Sequence, residues 1–192
     1  MRSIRALPFV AILAALAVFA APALAQDGPV IGGEAPGFTL PAADGGTYTL
    51  ADHRGQWVVL EWLNYDCPYV MKHYGSGNIP GQQAKWRERG VTWLAIVSSA
   101  PGKQGYFPAD EMVARSEQDG SNADAVLLDP EGTVGKAYGA RTTPHMFVID
   151  PDGIVRYMGG IDDVPTARIE DLERATQLVD QALEELMAGE EV

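Results

Sequence analysis

Two short apolar runs, Trp57–Leu63 and Val91–Val97, constrain the fold more than any other part of the sequence. Each is rich in β-branched and aromatic residues, and each is too short for a buried helix. Glu61 and Thr92 apart, both are apolar at successive positions, so side chains on both faces of the strand need cover. The other segments supply that cover. Ala109–Gln118 reads as a helix, Ala125–Leu128 as a further strand, and Thr133–Tyr138 as a short helix closed by Gly139. Strands alternating with helices predict an α/β fold whose central sheet is largely parallel.

Turn residues complete the order of elements. Asp44-Gly45-Gly46 separates Phe38–Leu40 from Thr47–Leu50, and Pro151-Asp152-Gly153 separates His145–Asp150 from Val155–Met158. Both patterns predict hairpins, one ahead of the main sheet and one adding antiparallel strands to it. A first helix is expected from Pro68, since a proline at an early helical position loses no hydrogen bond. Gly75–Asn78 and Pro80-Gly81 are expected to interrupt it before a second piece, Gln82–Arg89. Ile169, Leu172, Ala175, Val179, Ala182, Leu183 and Leu186 are spaced as the buried face of one C-terminal helix. In such a sheet a ligand site lies beyond the carboxyl ends of the strands. The segment after Leu63, the Ser98–Phe107 loop and the Arg141–Pro144 turn should meet there.

Residues 1–25 have the form of a secretory signal peptide. Arg2 and Arg5 precede an apolar stretch from Leu7 to Ala21, and Ala23-Leu24-Ala25 offers a cleavage site. Residues 26–192 are then read as a single domain of a periplasmic or secreted protein, with no membrane association after cleavage. The formal net charge of −12 becomes more negative still when the leader's two arginines are removed, which argues against nucleic acid and anionic membrane as partners. The sequence does not specify an oligomeric state, and no cofactor is indicated.

Cys67 is the only cysteine in the chain. It stands at the polar end of an apolar run and is followed by Pro68, so a strand, a turn and a helix N-terminus meet at the thiol. Free backbone N–H groups and the helix dipole at such a place favour thiolate, the nucleophilic form. A lone cysteine in an oxidising compartment forms no internal disulfide, so it is either inert and buried or available for reaction.

Four segments, in order, resemble the thioredoxin superfamily, specifically its redoxin branch of AhpC/TSA and related peroxiredoxin-like proteins. They are Gly32–Leu40, Trp62–Val70, Thr142–Asp150 and Asp150–Gly153, and the resemblance extends over roughly residues 30–187. It implies a thioredoxin-like fold with a mixed central sheet, an N-terminal β-hairpin extension and a C-terminal helix. It also implies that Cys67 keeps the first active-site cysteine and that Pro144 is the superfamily's cis-proline. Val70 replaces the second cysteine of a dithiol motif. Leu60 and Asn64 stand where typical peroxiredoxins carry a proline and a threonine or serine.

The expected function is therefore thiol redox chemistry through one cysteine. Peroxide reduction is the leading reading: Cys67 attacks the peroxide, and an external thiol reductant resolves the sulfenic acid. Thiol–disulfide exchange with a disulfide substrate is the alternative. Glu61 matches the buried acid that assists proton transfer in thioredoxins, although an apolar run leaves its orientation open. Arg141 is either an exposed turn residue or a guanidinium that stabilises thiolate or orients a peroxide oxygen. Lys72 and His73 are expected on a solvated helix face. Two rival classes stand beside this reading. One is copper or zinc handling through Cys67, His73, His145 and perhaps His53; the other is a non-catalytic scaffold.

Overall fold

The computed structural model describes residues 28–190 and residue 192; the proposed leader, residues 1–25, lies outside the described residues. The chain opens with the expected hairpin, β1 (Thr39–Pro41) and β2 (Thr47–Thr49), which forms a small sheet of its own. The main sheet contains β3 (Val58–Trp62), β4 (Thr92–Val97), β5 (Ala125–Leu128), β6 (His145–Ile149) and β7 (Val155–Gly159). Its strand order is β5-β4-β3-β6-β7. The first three strands run parallel, and β6 and β7 are antiparallel to their neighbours. This is the mixed α/β architecture read from the sequence, with β3 at its centre.

Among the described residues five α-helices pack around it: α1 (Pro68–Gly75), α2 (Asn78–Glu88), α3 (Ala109–Gln118), α4 (Thr133–Ala137) and α5 (Leu178–Met187). Alternation along β3 divides the core. Val59 and Leu63 pack with Tyr74, Ile79, Trp86, Met112, Val179 and Leu183 from four of the helices. Val58, Leu60 and Trp62 point the other way, against Phe38, Leu94, Phe147, Val134 and Tyr138.

Two boundaries differ from the sequence reading. Helix α2 begins at Asn78 rather than Gln82, with Gly77 at its N-cap in the left-handed region (φ 75°). Pro80 fits the first turn because an N–H there has no helical acceptor; the hydrogen bonds resume with Gly81 N–H to Gly77 O at 2.9 Å. The C-terminal helix is broken. Ile169–Arg174 forms a 3₁₀ turn with Ile169 exposed, and α5 starts only at Leu178. Between them the chain is extended and bonds to the segment before it. Thr176 N–H donates to Asp163 Oδ1 at 2.8 Å, and Leu178 N–H donates to Ile161 O at 2.9 Å.

That pairing folds residues 160–165 over α1 and corrects a further expectation. Lys72 and His73 are not on a solvated face; each is only 2% exposed. Lys72 Nζ donates to Asp162 Oδ2 at 2.5 Å and to Val164 O at 3.2 Å. Asn78 Nδ2 donates to His73 Nδ1 at 2.7 Å, so the imidazole proton is assigned to Nε2, which faces Asp162 Oδ2 at 3.5 Å. Burial, with Lys72 adding to it and Asp162 opposing it, holds His73 down at about 4 and therefore neutral.

A buried ion pair is most costly when half of it is removed. Asp162→Ala should lower unfolding stability by about 3–5 kcal/mol in urea titrations, by stranding the Lys72 ammonium. The double variant Lys72→Met/Asp162→Leu should recover most of that loss. Equal destabilisation by the single and double variants would contradict this account of the pair.

Candidate active site

Cys67 is delivered by a tight turn. The parallel edge of β3 ends at Trp62, and the chain reverses through Asn64–Cys67, where Cys67 N–H donates to Asn64 O at 2.9 Å. Asn64 uses its side chain on the same turn, with Oδ1 accepting from Asp66 N–H at 2.9 Å. Cys67 is then the N-cap of α1, in extended conformation (φ −77°, ψ 127°), and Pro68 opens the helix. The first helical hydrogen bond is Met71 N–H to Cys67 O, at 2.9 Å. The thiol is half-buried.

The three segments expected at this end of the sheet do meet. Cys67 Sγ donates to Thr143 O at 3.2 Å, and the Thr143–Pro144 peptide bond is cis. From the third segment, Gln104 Nε2 donates to Asp66 O at 2.9 Å. Gly105 lies against the Asn64 amide with φ +80°, where an added Cβ would stand 2.3 Å from Asn64 Oδ1. Only glycine suits that approach.

Two clefts flank the Thr142–Thr143 backbone that the thiol touches. One, of about 220 Å³, is lined by Trp62, Asn64, Ser98 and Arg141. The other, of about 350 Å³, is walled by Tyr69, His73, Pro144, Ile161, Val164 and Pro165. Arg141 is exposed and belongs to the first cleft, beside the thiol's hydrogen-bond acceptor. Two larger hollows, of about 460 and 490 Å³, share no residue with either cleft. His53 stacks on Tyr48, and the His145 ring packs on Phe147.

The structure settles the orientation of Glu61. It is fully buried on the face of β3 that carries Val59 and Leu63, and it accepts three hydrogen bonds. Tyr74 Oη donates to Oε1 at 3.0 Å; Gln83 Nε2 and Trp93 Nε1 donate to Oε2 at 3.1 and 2.8 Å. Burial pushes the carboxyl up to about 7, against the lowering effect of the three donors. Of the three partners only Tyr74 Oη has lone pairs to accept a proton, so the neutral acid carries its hydrogen on Oε1. Tyr74 lies on α1, which links the acid to the helix that Cys67 caps.

Two polar groups at the site carry no local sequence signal. Arg115, on α3, reaches the Cys67 turn from a residue far along the chain, with Nη2 donating to Tyr65 O at 3.2 Å. Asp162 becomes a wall of the larger cleft only through the fold.

Glu61 and His73 should shape stability in opposite directions. The folded state holds the Glu61 proton more tightly than the unfolded chain, so its contribution is lost as pH rises from about 4.5 to about 7. His73 is held neutral, so its contribution is lost as pH falls from 6.5 to about 4. Glu61→Gln mimics the neutral acid. It should raise stability at pH 8 by about 3 kcal/mol and leave a curve that climbs from pH 4 to 6.5. Chemical denaturation across pH measures this, and an unchanged curve would contradict the shift assigned to Glu61.

No curated protein matches the chain. A hypothetical protein from Sinorhizobium meliloti superposes with a TM-score of 0.67 at 25% identity, covering 85% of this chain and 87% of that one. An uncharacterized conserved protein from Geobacillus kaustophilus gives 0.64 at 25% identity, with 75% and 78% covered. A secreted disulfide oxidoreductase of Mycobacterium tuberculosis gives 0.54 at 20% identity, with 74% and 95% covered. At that identity the last shows likeness of fold alone. The AhpC/TSA family model matches residues 31–158, from the segment before β1 through most of β7. With the thiol turn and the cis-proline turn both inside the matched region, the chain belongs to the AhpC/TSA family.

Proposed function

We propose that this protein is an exported thiol oxidoreductase that works through Cys67 alone, and that thiol–disulfide exchange is its principal reaction. One observation carries the choice of reaction: the thiol faces a backbone acceptor, Thr143 O at 3.2 Å, beside the cis-proline. Activating a peroxide calls for donors converging on the sulfur and on the peroxide oxygens. Asn64, at the position where a typical peroxiredoxin has a hydroxyl, instead spends its side-chain oxygen on Asp66 N–H. A half-buried thiol whose backbone acceptor lies between two clefts suits attack on a disulfide.

In this reaction the Cys67 thiolate attacks one sulfur of R–S–S–R′. The Sγ–S bond forms and R′S⁻ leaves. A second thiolate then attacks the R sulfur of the mixed disulfide and returns Cys67 to thiolate, so electrons pass from the external thiol to the substrate disulfide. Pro144 and Thr143 hold the backbone against the thiol. Glu61 is the internal proton acceptor, and Arg141 orients the incoming partner from the smaller cleft. Export is supported by the form of residues 1–25 and by the secreted relative of like fold. Among the described residues no helix is long and apolar enough to cross a membrane.

Peroxide reduction is the second reading, favoured by membership of the AhpC/TSA family and by Arg141 beside the thiol's acceptor. Sγ would then attack the O–O bond to give a sulfenic acid and release water or an alcohol. One external thiol would form a mixed disulfide with loss of water, and a second would release Cys67.

The two reactions separate when reduced protein is offered hydrogen peroxide with a sulfenic-acid trap, or a small disulfide followed by mass spectrometry. Rapid mixed-disulfide formation with slow trapping, both lost in Cys67→Ser, is the expected result. The reverse order of rates would favour peroxide reduction, and no reaction with either reagent would leave the scaffold reading. A second expectation concerns Val70, which is buried on α1 three residues after Cys67. Val70→Cys should form an internal disulfide with Cys67 and gain disulfide reductase activity. A variant that stays reduced under oxidants that couple wild type to small thiols would count against the reading of residues 67–70 as an active-site turn.

A further inference from the structure

The turn that delivers Cys67 is held from outside by Gln104, on Asp66 O, and by Arg115, on both of its central residues, and we infer that Arg115 is a positioning residue for the chemistry of Cys67. The inference rests on Cys67 being the nucleophile. Arg115 projects from α3, which is planted on the core by Met112. Its guanidinium meets three acceptors. Nη2 donates to Tyr65 O at 3.2 Å, Nη1 to Asp66 Oδ1 at 3.3 Å and Nε to Asp119 Oδ2 at 2.6 Å. Its central carbon lies 5.6 Å from the Tyr65 ring centroid and 5.7 Å from that of Phe107. Tyr65 and Asp66 are the two central residues of the Asn64–Cys67 turn, so both are tied to α3 by the same planar group.

Two consequences follow for the sulfur. The first is geometric. No side chain caps α1, so the direction of Cys67 is set by the turn and by its contact with Thr143 O. A flat, five-donor guanidinium can satisfy a carbonyl, two carboxylates and two ring faces together, which a lysine ammonium cannot. The second is electrostatic. Asp66 places a carboxylate on the residue next to the nucleophile, where it opposes negative charge on sulfur and repels anionic partners. Arg115 balances that charge at 3.3 Å, with its own side chain 25% exposed. Asp119 shares the guanidinium from the other side.

The test reads alkylation of Cys67 by a neutral reagent, iodoacetamide, and an anionic one, iodoacetate. It compares the wild-type protein with Arg115→Gln, Arg115→Lys, Asp66→Asn and the double variant Arg115→Gln/Asp66→Asn. In Arg115→Gln the iodoacetamide rate should fall about threefold, and the iodoacetate-to-iodoacetamide ratio should fall about threefold more. The double variant should restore the ratio, because the unbalanced carboxylate is gone. Arg115→Lys should keep the ratio while reacting more slowly with both reagents, and it carries the comparison should Arg115→Gln fail to fold. A merely structural role would move thermal stability but not the charge ratio. A wild-type ratio in Arg115→Gln, or a lowered ratio that Asp66→Asn leaves unrestored, would overturn the inference. Alkylation needs no disulfide, so a wild-type protein that alkylates yet forms no mixed disulfide would refute the proposed reaction and leave this result readable.

Discussion

Strand β3 gives its backbone hydrogen bonds to β4 on one edge and to β6 on the other, so every side chain it carries must be covered from above or below the sheet. All five of its residues are buried, and the remaining architecture follows from that burial. Helices α1, α2 and α5 close one face with Tyr74, Trp86 and Leu183. Phe38 and Leu40 of the N-terminal segment, with Val134 of α4, close the other. A strand so enclosed tolerates a polar group only when its hydrogen bonds are complete. Glu61 meets that condition through donors from α1, α2 and β4. The acid is thus a tie between three elements as well as a titrating group.

The same topology places the site. Because β3 and β4 are parallel, their carboxyl ends open at one edge of the sheet, and the chain leaves β3 into the Cys67 turn and β4 into the Ser98–Phe107 loop. Because β6 runs the opposite way, its beginning lies at that edge, and Thr143–Pro144 arrives beside the thiol from the other direction. The thiol therefore sits where two strand exits and one strand entrance converge, and none of the three segments needs a long excursion to reach it.

What the sequence disclosed follows from this geometry. The turn at Cys67, the turn at Pro144 and the succession of strands and helices along the chain were legible because turn residues and apolar runs are local signals. The orientation of Glu61 was not, because a strand apolar on both faces carries no alternation from which to phase it. Lys72 and His73 looked solvated because helical spacing describes one helix and not the segment that covers it, and Asp162 is ninety residues further along the chain. The C-terminal apolar spacing ran unbroken through Ala175–Gln177. The chain breaks there because Thr176 and Leu178 satisfy backbone groups of residues 161–163, a long-range gain that periodicity does not register. Arg115 belongs with these: its role at the turn exists only once α3 has docked.

A site with one sulfur places a demand on its surroundings that a dithiol site does not. Val70, fully buried, stands where the resemblance to dithiol thioredoxins implies a second cysteine, so both half-reactions of the proposed exchange pass through the same Sγ. Substrate and reductant must then reach that atom in turn, from directions that leave room for the group already attached. The proposed approaches are the two clefts that share the Thr142–Thr143 backbone. The larger has mostly apolar walls, with Tyr69, Ile161, Val164 and Pro165, while the smaller carries Asn64, Ser98 and Arg141. In the proposed exchange this contrast offers an apolar and a polar approach on either side of the Thr142–Thr143 backbone, whose Thr143 O accepts from the single thiol.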